Sequence, residues 1–200
     1  AAPELQNAKL PTPDTVIAER MEDILIAHRQ WANSEGGARA ELPHADLSGR
    51  DLQGINLAAA IMTFAIFKAA RLPSSVLSMC DLSGADMREA DLSQADMRGV
   101  RLERATLTGA NLSGSDLGPL QSTGPSGRVW RSALSYSHFN DANLAGAKLI
   151  QADLKGASFN GADLREADLS GADVADASFR GADLTGARLQ GTDMTAAHLN

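Results

Sequence analysis

The apolar positions of this chain recur at a spacing that belongs to neither regular element. In SGADMREADLSQADM, residues 83–97, a large apolar side chain returns every fifth residue, whereas a helix repeats its buried face about every 3.6 residues and a strand every two. A period of five has to be a composite. In an extended segment residues two apart share a face, so the large apolar residue and the small one two positions before it point one way. The Asp or Asn between them points the other way. The two remaining residues, often Ser-Gly, Arg-Gly or Thr-Gly, are suited to turning the chain. Each pentad is therefore predicted to be a very short strand plus a corner.

The pattern divides the chain into four parts. Residues 43–117 form fifteen pentads without a gap, from PHADL to SGSDL, and residues 130–200 hold fourteen more, from WRSAL to TAAHL. Between them, residues 118–129 (GPLQSTGPSGRV) are an inserted loop that shifts the register by two. The last residue of every pentad, its centre, is Leu, Met, Phe or Val. Among the centres of the second array, Phe139, Phe159 and Phe179 lie twenty residues apart, or four pentads. This predicts four sides per turn, with the rings stacked along one inner wall. Coils rising about 4.8 Å each would make a rod of about seven coils, roughly 35 Å long.

Residues 1–42 differ in character. AAPELQNAKLPTP reads as a tail, after which Asp14 or Thr15 can cap a helix running to about Asn33 and ended by Gly36-Gly37. Ile17, Met21, Ile24, Leu25, His28 and Trp31 share one face at helical spacing. An open end of a coil exposes unpaired strand groups and a cut core, so the helix is expected to cap the N-terminal end. No matching pattern follows Leu199. The C-terminal end is expected to be completed by a second subunit, by a further segment or by water, and the Pro-rich start without Met makes an excised module plausible. Arg50 occupies an inward position, so either its side chain leaves through the open end beneath the helix or the regular coil begins one pentad later, and the second is expected.

Composition narrows the function. No run of about eighteen apolar residues is present to span a membrane, the start lacks a secretory profile, and one cysteine rules out an internal disulfide framework, which fits a cytoplasmic location. A net charge of −7 offers no basic stripe for direct nucleic-acid binding. Catalysis finds little support. Cys80 sits at a small inward position, and His28, His44, His138 and His198 have no metal-ligand spacing. The reading is no enzyme, no cofactor and no metal.

Three surface features stand out. Arg128, Trp130, Arg131 and Tyr136 cluster around the register break and are residue types favoured at binding hot spots, so the loop and its flank are expected to bind a protein partner. In the first array Ile61, Ile66 and Val76, with Phe64 nearby, occupy positions that elsewhere carry Asp or Asn. They are expected to lie under the helix or the tail, or else to form a partner or homodimer site, as the uncapped C-terminal coil could. Finally, a twenty-residue coil stacks Asp153, Asp173 and Asp193 on one outer face and Asp163 and Asp183 on another.

The A-(D/N)-L-x-x pattern, as in ADLREADLSGADV at 162–174, resembles the pentapeptide-repeat family over residues 43–199. IAHRQWANSEGGARAELPHADLSG, residues 26–49, resembles the helix-and-glycine leader of bacterial arrays. The resemblance implies an all-β fold, a right-handed quadrilateral β-helix with an N-terminal α-helical cap. It also implies a function class, because family members that act on DNA gyrase are thought to mimic DNA with an acidic surface. Charge counting argues against that class here. Residues 43–132 carry nine basic and nine acidic side chains, and 133–200 five and nine. Aspartates at corners also have a local use, bonding nearby backbone. The reading is a rigid, non-enzymatic scaffold for protein–protein interaction, with a gyrase modulator as one alternative and a module of a larger bacterial secretion-associated or regulatory protein as another.

Overall fold

A ladder of single bridges, in place of long strands, builds the molecule. The computed structural model describes residues 20–122 and 127–199. In it parallel bridges join residues twenty apart: Glu41 with Ile61, Asp46 with Ile66, Asp51 with Arg71 and Asn56 with Val76. The four columns continue through Asp81, Asp86, Asp91 and Asp96. Twenty residues are four pentads, so the coil has four sides.

Each side has one inward pair and one outward residue. The residue carrying the bridge precedes the centre, while the centre and the small residue before the bridge line the interior. Every centre from Leu42 to Phe179 is buried. The corners are tight turns: Ala45 N–H donates to the Leu42 carbonyl, and the same bond recurs at Ala65, Ala85 and Ala105. The third residue of each turn has a left-handed backbone, as at His44 (φ 59°) and Gly49 (φ 64°). This is the turn geometry that favours glycine at that position, which explains the Ser-Gly and Thr-Gly pairs.

The expected aromatic wall is present. Phe139 and Phe159 stack at 4.9 Å between ring centres with 2° between planes, and Phe159 and Phe179 at 5.0 Å and 5°. Their spacing matches the rise of a hydrogen-bonded strand pair, about 4.8 Å. The bridge column beside them runs Ile66, Asp86, Thr106, His138, Ser158, Ser178, which puts Phe67 on the same wall.

The insertion leaves the ladder intact. Arg101 bridges Ala133, Thr106 bridges His138, Asn111 bridges Asn143 and Asp116 bridges Lys148, partners thirty-two residues apart in place of twenty. Twelve extra residues are thus accommodated outside the coil, and the bridges then return to a spacing of twenty. Part of the extra length forms a hairpin, β1 (Leu120–Gln121) antiparallel to β2 (Val129–Trp130).

Among the described residues one helix, α1 (Met21–Ala32), packs on the first coil. Met21 and His28 are buried and Ile24 and Leu25 lie against the core, as the stripe predicts, whereas Trp31 is exposed at its edge. The expected start at Asp14 or Thr15, with Ile17, falls outside the described residues. The expected glycine stop is not what ends it: the helix closes at Ala32 with Asn33 as C-cap and Ser34 left-handed (φ 62°), and Gly37 (φ 74°) serves the chain's return past the helix, where a Cβ would lie 2.1 Å from the Ala27 carbonyl oxygen. Two expectations about the array's start change. The ladder begins at Glu41, with Leu42 already buried, so Arg50 belongs to the regular coil. Its carbonyl accepts from Arg71 N–H, and its side chain is exposed because no earlier coil closes over that slot.

At the other end the ladder loosens. Among the described residues no bridge joins Asp173 to residue 193, although the neighbouring columns still pair Asp168 with Arg188 and Ser178 with His198. Thr192 stands where most pentads have Ala, and its hydroxyl donates to the Leu169 carbonyl at 2.6 Å. Leu199 is 49% exposed.

Candidate functional site

The hairpin grows from one corner of the rod. Leu117 is the last centre before it, Asp116 Oδ1 accepts from Gly118 N–H at 3.0 Å, and Ser132 Oγ donates to the Gly118 carbonyl at 3.1 Å. These two bonds clamp the outgoing and returning chains. The strands sit over Gly99, where a Cβ would lie 3.3 Å from the Leu120 side chain and 3.4 Å from that of Trp130. On the hairpin, the Arg128 guanidinium lies 5.3 Å over the Trp130 ring. Arg128, Val129 and Arg131 are exposed and Trp130 is half-buried.

Tyr136 lies apart from these three. It occupies the left-handed turn position of the next corner (φ 60°), is 57% exposed, and covers Gly156, whose Cβ would lie 2.7 Å from the ring. The four predicted residues therefore occupy two corners, with one side of the rod between them. That side carries a shallow groove of about 290 Å3 lined by Arg131, Gln151, Lys155 and Asp173 among others. Lys155 bridges the groove to the Tyr136 corner. Its ammonium contacts Asp173 at 3.1 Å, and that hydrogen bond raises its pKa, with the Asp173, Asp153 and Tyr136 charges adding to the effect.

The aspartate columns form as expected except at their end. Asp153 bridges Asp173 and Asp163 bridges Asp183, but Asp193 falls out of the ladder. Each of these carboxylates spends one oxygen locally, accepting from the backbone N–H two residues on: Lys155, Arg165, Ala175, Thr185 and Thr195. Cations take much of the rest. Arg165 donates to Asp163 through Nε at 2.8 Å and Nη2 at 2.6 Å, which holds that carboxyl below its usual range, and its Nε lies 3.9 Å from Asp183. Asp183 and Asp193 are lowered chiefly by the hydroxyls of Thr185 and Thr195.

The apolar patch expected in the first array is not one surface. Ile61, Ile66 and Val76 belong to three different bridge columns, hence three sides of the square. Only residues a multiple of twenty apart stack, and these are five and ten apart. Nor does α1 cover all of it: Phe64 is 57% and Ile66 36% exposed, with Phe64 stacked on His44 at 5.3 Å.

Groups for chemistry are buried or scattered. Cys80 is buried, donates to the Leu57 carbonyl, and has its pKa pushed up to about 12 by loss of solvent. Among the described residues no group of His, Cys, Asp and Glu could hold a metal ion, and no helix is long and apolar enough to cross a membrane.

These features define a class: a four-sided pentapeptide solenoid. The family model for pentapeptide repeats matches eight copies across residues 40–78, 80–118, 137–174 and 162–200, and the chain belongs to that family. Membership carries the right-handed sense of the quadrilateral β-helix. Comparison with curated proteins gives no match. Among solved structures, a pentapeptide repeat protein from the Arabidopsis thaliana thylakoid lumen is 29% identical, over 59% of this chain and 70% of that one, with a TM-score of 0.40. Trypsin-treated QnrB1, a plasmid-mediated fluoroquinolone resistance protein, is 19% identical over 81% and 73%, with a TM-score of 0.48. HetL, involved in heterocyst differentiation regulation in the cyanobacterium Nostoc sp. strain PCC 7120, is 29% identical over 84% and 93%, with a TM-score of 0.28.

Proposed function

We propose that this chain is a non-enzymatic scaffold whose hairpin and adjoining side bind a protein partner. The observation that carries the reading is the continuity of the ladder beneath the insertion, Arg101 to Ala133 and Asp116 to Lys148. The coil needs none of the twelve extra residues, yet they carry an exposed Val129 and hold Arg128 over Trp130, the first residue of the returning array. Rigidity is the mechanism. Side chains fixed on a hydrogen-bonded frame lose little conformational freedom on binding, and Trp and Arg are the types that dominate binding energy. Arg128 and Arg131 give the hairpin a cationic edge, which fits an acidic partner surface. The reading extends to a cytoplasmic setting and to a homodimer formed through the loosened C-terminal coil.

The test compares partners captured from source-cell extract by the intact chain and by a chain whose residues 118–129 are replaced by a Gly-Ser turn. Affinities for each captured protein are then measured with purified components. A partner whose binding is lost with the hairpin and weakened at least tenfold by Trp130→Ala supports the reading. Partners bound equally by both chains sink it.

A second reading, modulation of DNA gyrase by an acidic surface, rests on the aligned pairs Asp153–Asp173 and Asp163–Asp183. It ranks second because Lys155 and Arg165 neutralise those columns. A supercoiling assay with purified gyrase separates the two, and no change at micromolar protein removes the second.

A further inference from the structure

The joint between α1 and the first coil rests on one buried histidine. His28 is fully buried, and its Nδ1 accepts from the backbone N–H of Ala40 at 2.9 Å. Ala40 is where the coil begins: its carbonyl accepts from Ile61 N–H at 3.0 Å, and its side chain is fully buried. The imidazole therefore takes the place of the turn carbonyl three residues back that accepts from this N–H at later corners, as Leu57 does for Ala60 and Met62 for Ala65. Because Nδ1 is the acceptor, the neutral ring carries its proton on Nε2, which has no hydrogen-bond partner. One face of the ring lies against Trp31, 5.4 Å between centres.

We propose that His28 makes the N-terminal cap a pH-sensitive joint, closed when the imidazole is neutral and released when it is protonated. A proton on Nδ1 would face the Ala40 N–H donor to donor, so protonation removes the bond and leaves a buried cation. The charged groups on the elements around it are Glu22, Asp23 and Arg29 on α1, Glu35, Arg39 and Glu41 on the chain leading into the coil, and Asp46, Arg50 and Asp51 on the first coil. Only Arg39 acts on the ring, opposing its charge, and Arg39 pairs with Glu41 at 3.7 Å. Burial is the larger cause and works in the same direction.

The sign follows. The closed state binds a proton less readily than the open state, whose histidine titrates near 6.5. The joint is at full strength above about pH 6.5 and weakens as pH falls below it, by about tenfold in the open population per pH unit until the closed-state ring itself titrates. Release would uncover Leu42, Leu47, Leu52 and Leu57 and the unpaired edges of the first coil.

The experiment is amide hydrogen exchange on the full chain between pH 8 and pH 5, corrected for intrinsic rates, with Leu112 N–H in mid-array as internal reference. Protection of Ala40 N–H is expected to fall as pH drops below about 6.5, by up to about tenfold per pH unit, while that of Leu112 stays constant. His28→Gln should abolish the pH step, since an amide oxygen can accept the same bond without titrating; His44→Gln should leave it unchanged. If His28→Gln fails to close the joint, Arg39→Gln decides, because the closed-state ring then binds its proton more readily, so the step should become smaller while its onset stays near pH 6.5. A flat Ala40 profile in the wild type, or a step retained in His28→Gln, overturns the proposal.

Discussion

Truncating Phe159 to Ala tests the inner wall most directly. Phe159 is fully buried, and its ring stacks on Phe139 at 4.9 Å and Phe179 at 5.0 Å. Removing a buried Phe side chain costs about 3–5 kcal/mol through lost burial and the cavity left behind. Each stacked pair adds about 0.5–1.5 kcal/mol beyond burial. A coil hydrogen-bonded above and below cannot collapse into the space, so the upper end is expected, about 5 kcal/mol. Phe67 provides the control, because it lies on the same wall with Leu47 and Met87 as neighbours and without ring stacking. Phe67→Ala should cost about 3–4 kcal/mol, and the difference reads the stack. The assay is urea unfolding followed by circular dichroism, with Phe159→Leu as a volume-restoring variant expected to recover most of the loss. A cost below about 1 kcal/mol for Phe159→Ala would show that the wall is not close-packed and refute the reasoning.

Ala162, buried at an inward position, changed to Leu should overpack the coil and cost about 1–3 kcal/mol; a thermal shift with no loss would count against the inward assignment. Gly156→Ala should be destabilised by its clash with the Tyr136 ring as well as by its left-handed backbone, about 1–2 kcal/mol in all. Part of that loss should return in the double variant with Tyr136→Ala, which a double-mutant cycle of melting curves would detect. Cys80, with its pKa pushed to about 12 and no exposure, should resist thiol reagents at pH 8 in the native protein and react fully in denaturant. Asp86, Asp96 and Asp163 have lowered pKa values because Arg88, Arg98 and Arg165 hydrogen-bond to them. Their contribution should be complete above about pH 4 and lost as pH falls through the folded values, so urea midpoints should show a further fall below about pH 4, separate from any change at the His28 joint nearer neutrality.

Much of the fold was legible because each pentad exposes its own logic. A centre that is always large and apolar, with a small partner two residues earlier, can only be an inward pair. The spacing of Phe139, Phe159 and Phe179 then counts the sides. The same rule of twenty, applied to Ile61, Ile66 and Val76, separates them onto three sides; nearness in sequence suggested a patch that the geometry of a square does not allow. Tyr136 was grouped with Trp130 for the same reason, although a corner intervenes. The hairpin was not legible, since a register shift of two fixes only the remainder of the insertion's length and leaves its conformation open. The aspartates were visible as columns, but their dominant partners, the backbone N–H two residues on and the Arg beside it, depend on the turn that the pentad makes. His28 was seen as one residue of an apolar stripe. The signal that could have marked it was its polarity on that face, which calls for a partner once the face is buried.

The corners that lay Tyr136 over Gly156 also lay Phe64 over Gly84, Gln94 over Gly114 and Glu166 over Gly186. A long side chain at one corner thus occupies the space its successor twenty residues later would need. Where a long group leans on the next corner, glycine leaves that place empty, yet successive places can both be filled, by stacking as at His44 and Phe64 or as at Arg104 and Tyr136. Substitution at a corner is then answered one whole turn away, at a residue remote in sequence and identical in role. Each group that leans along an edge in this way is matched by a glycine one turn on, so the spacing of such leaning groups is set by the solenoid's own pitch.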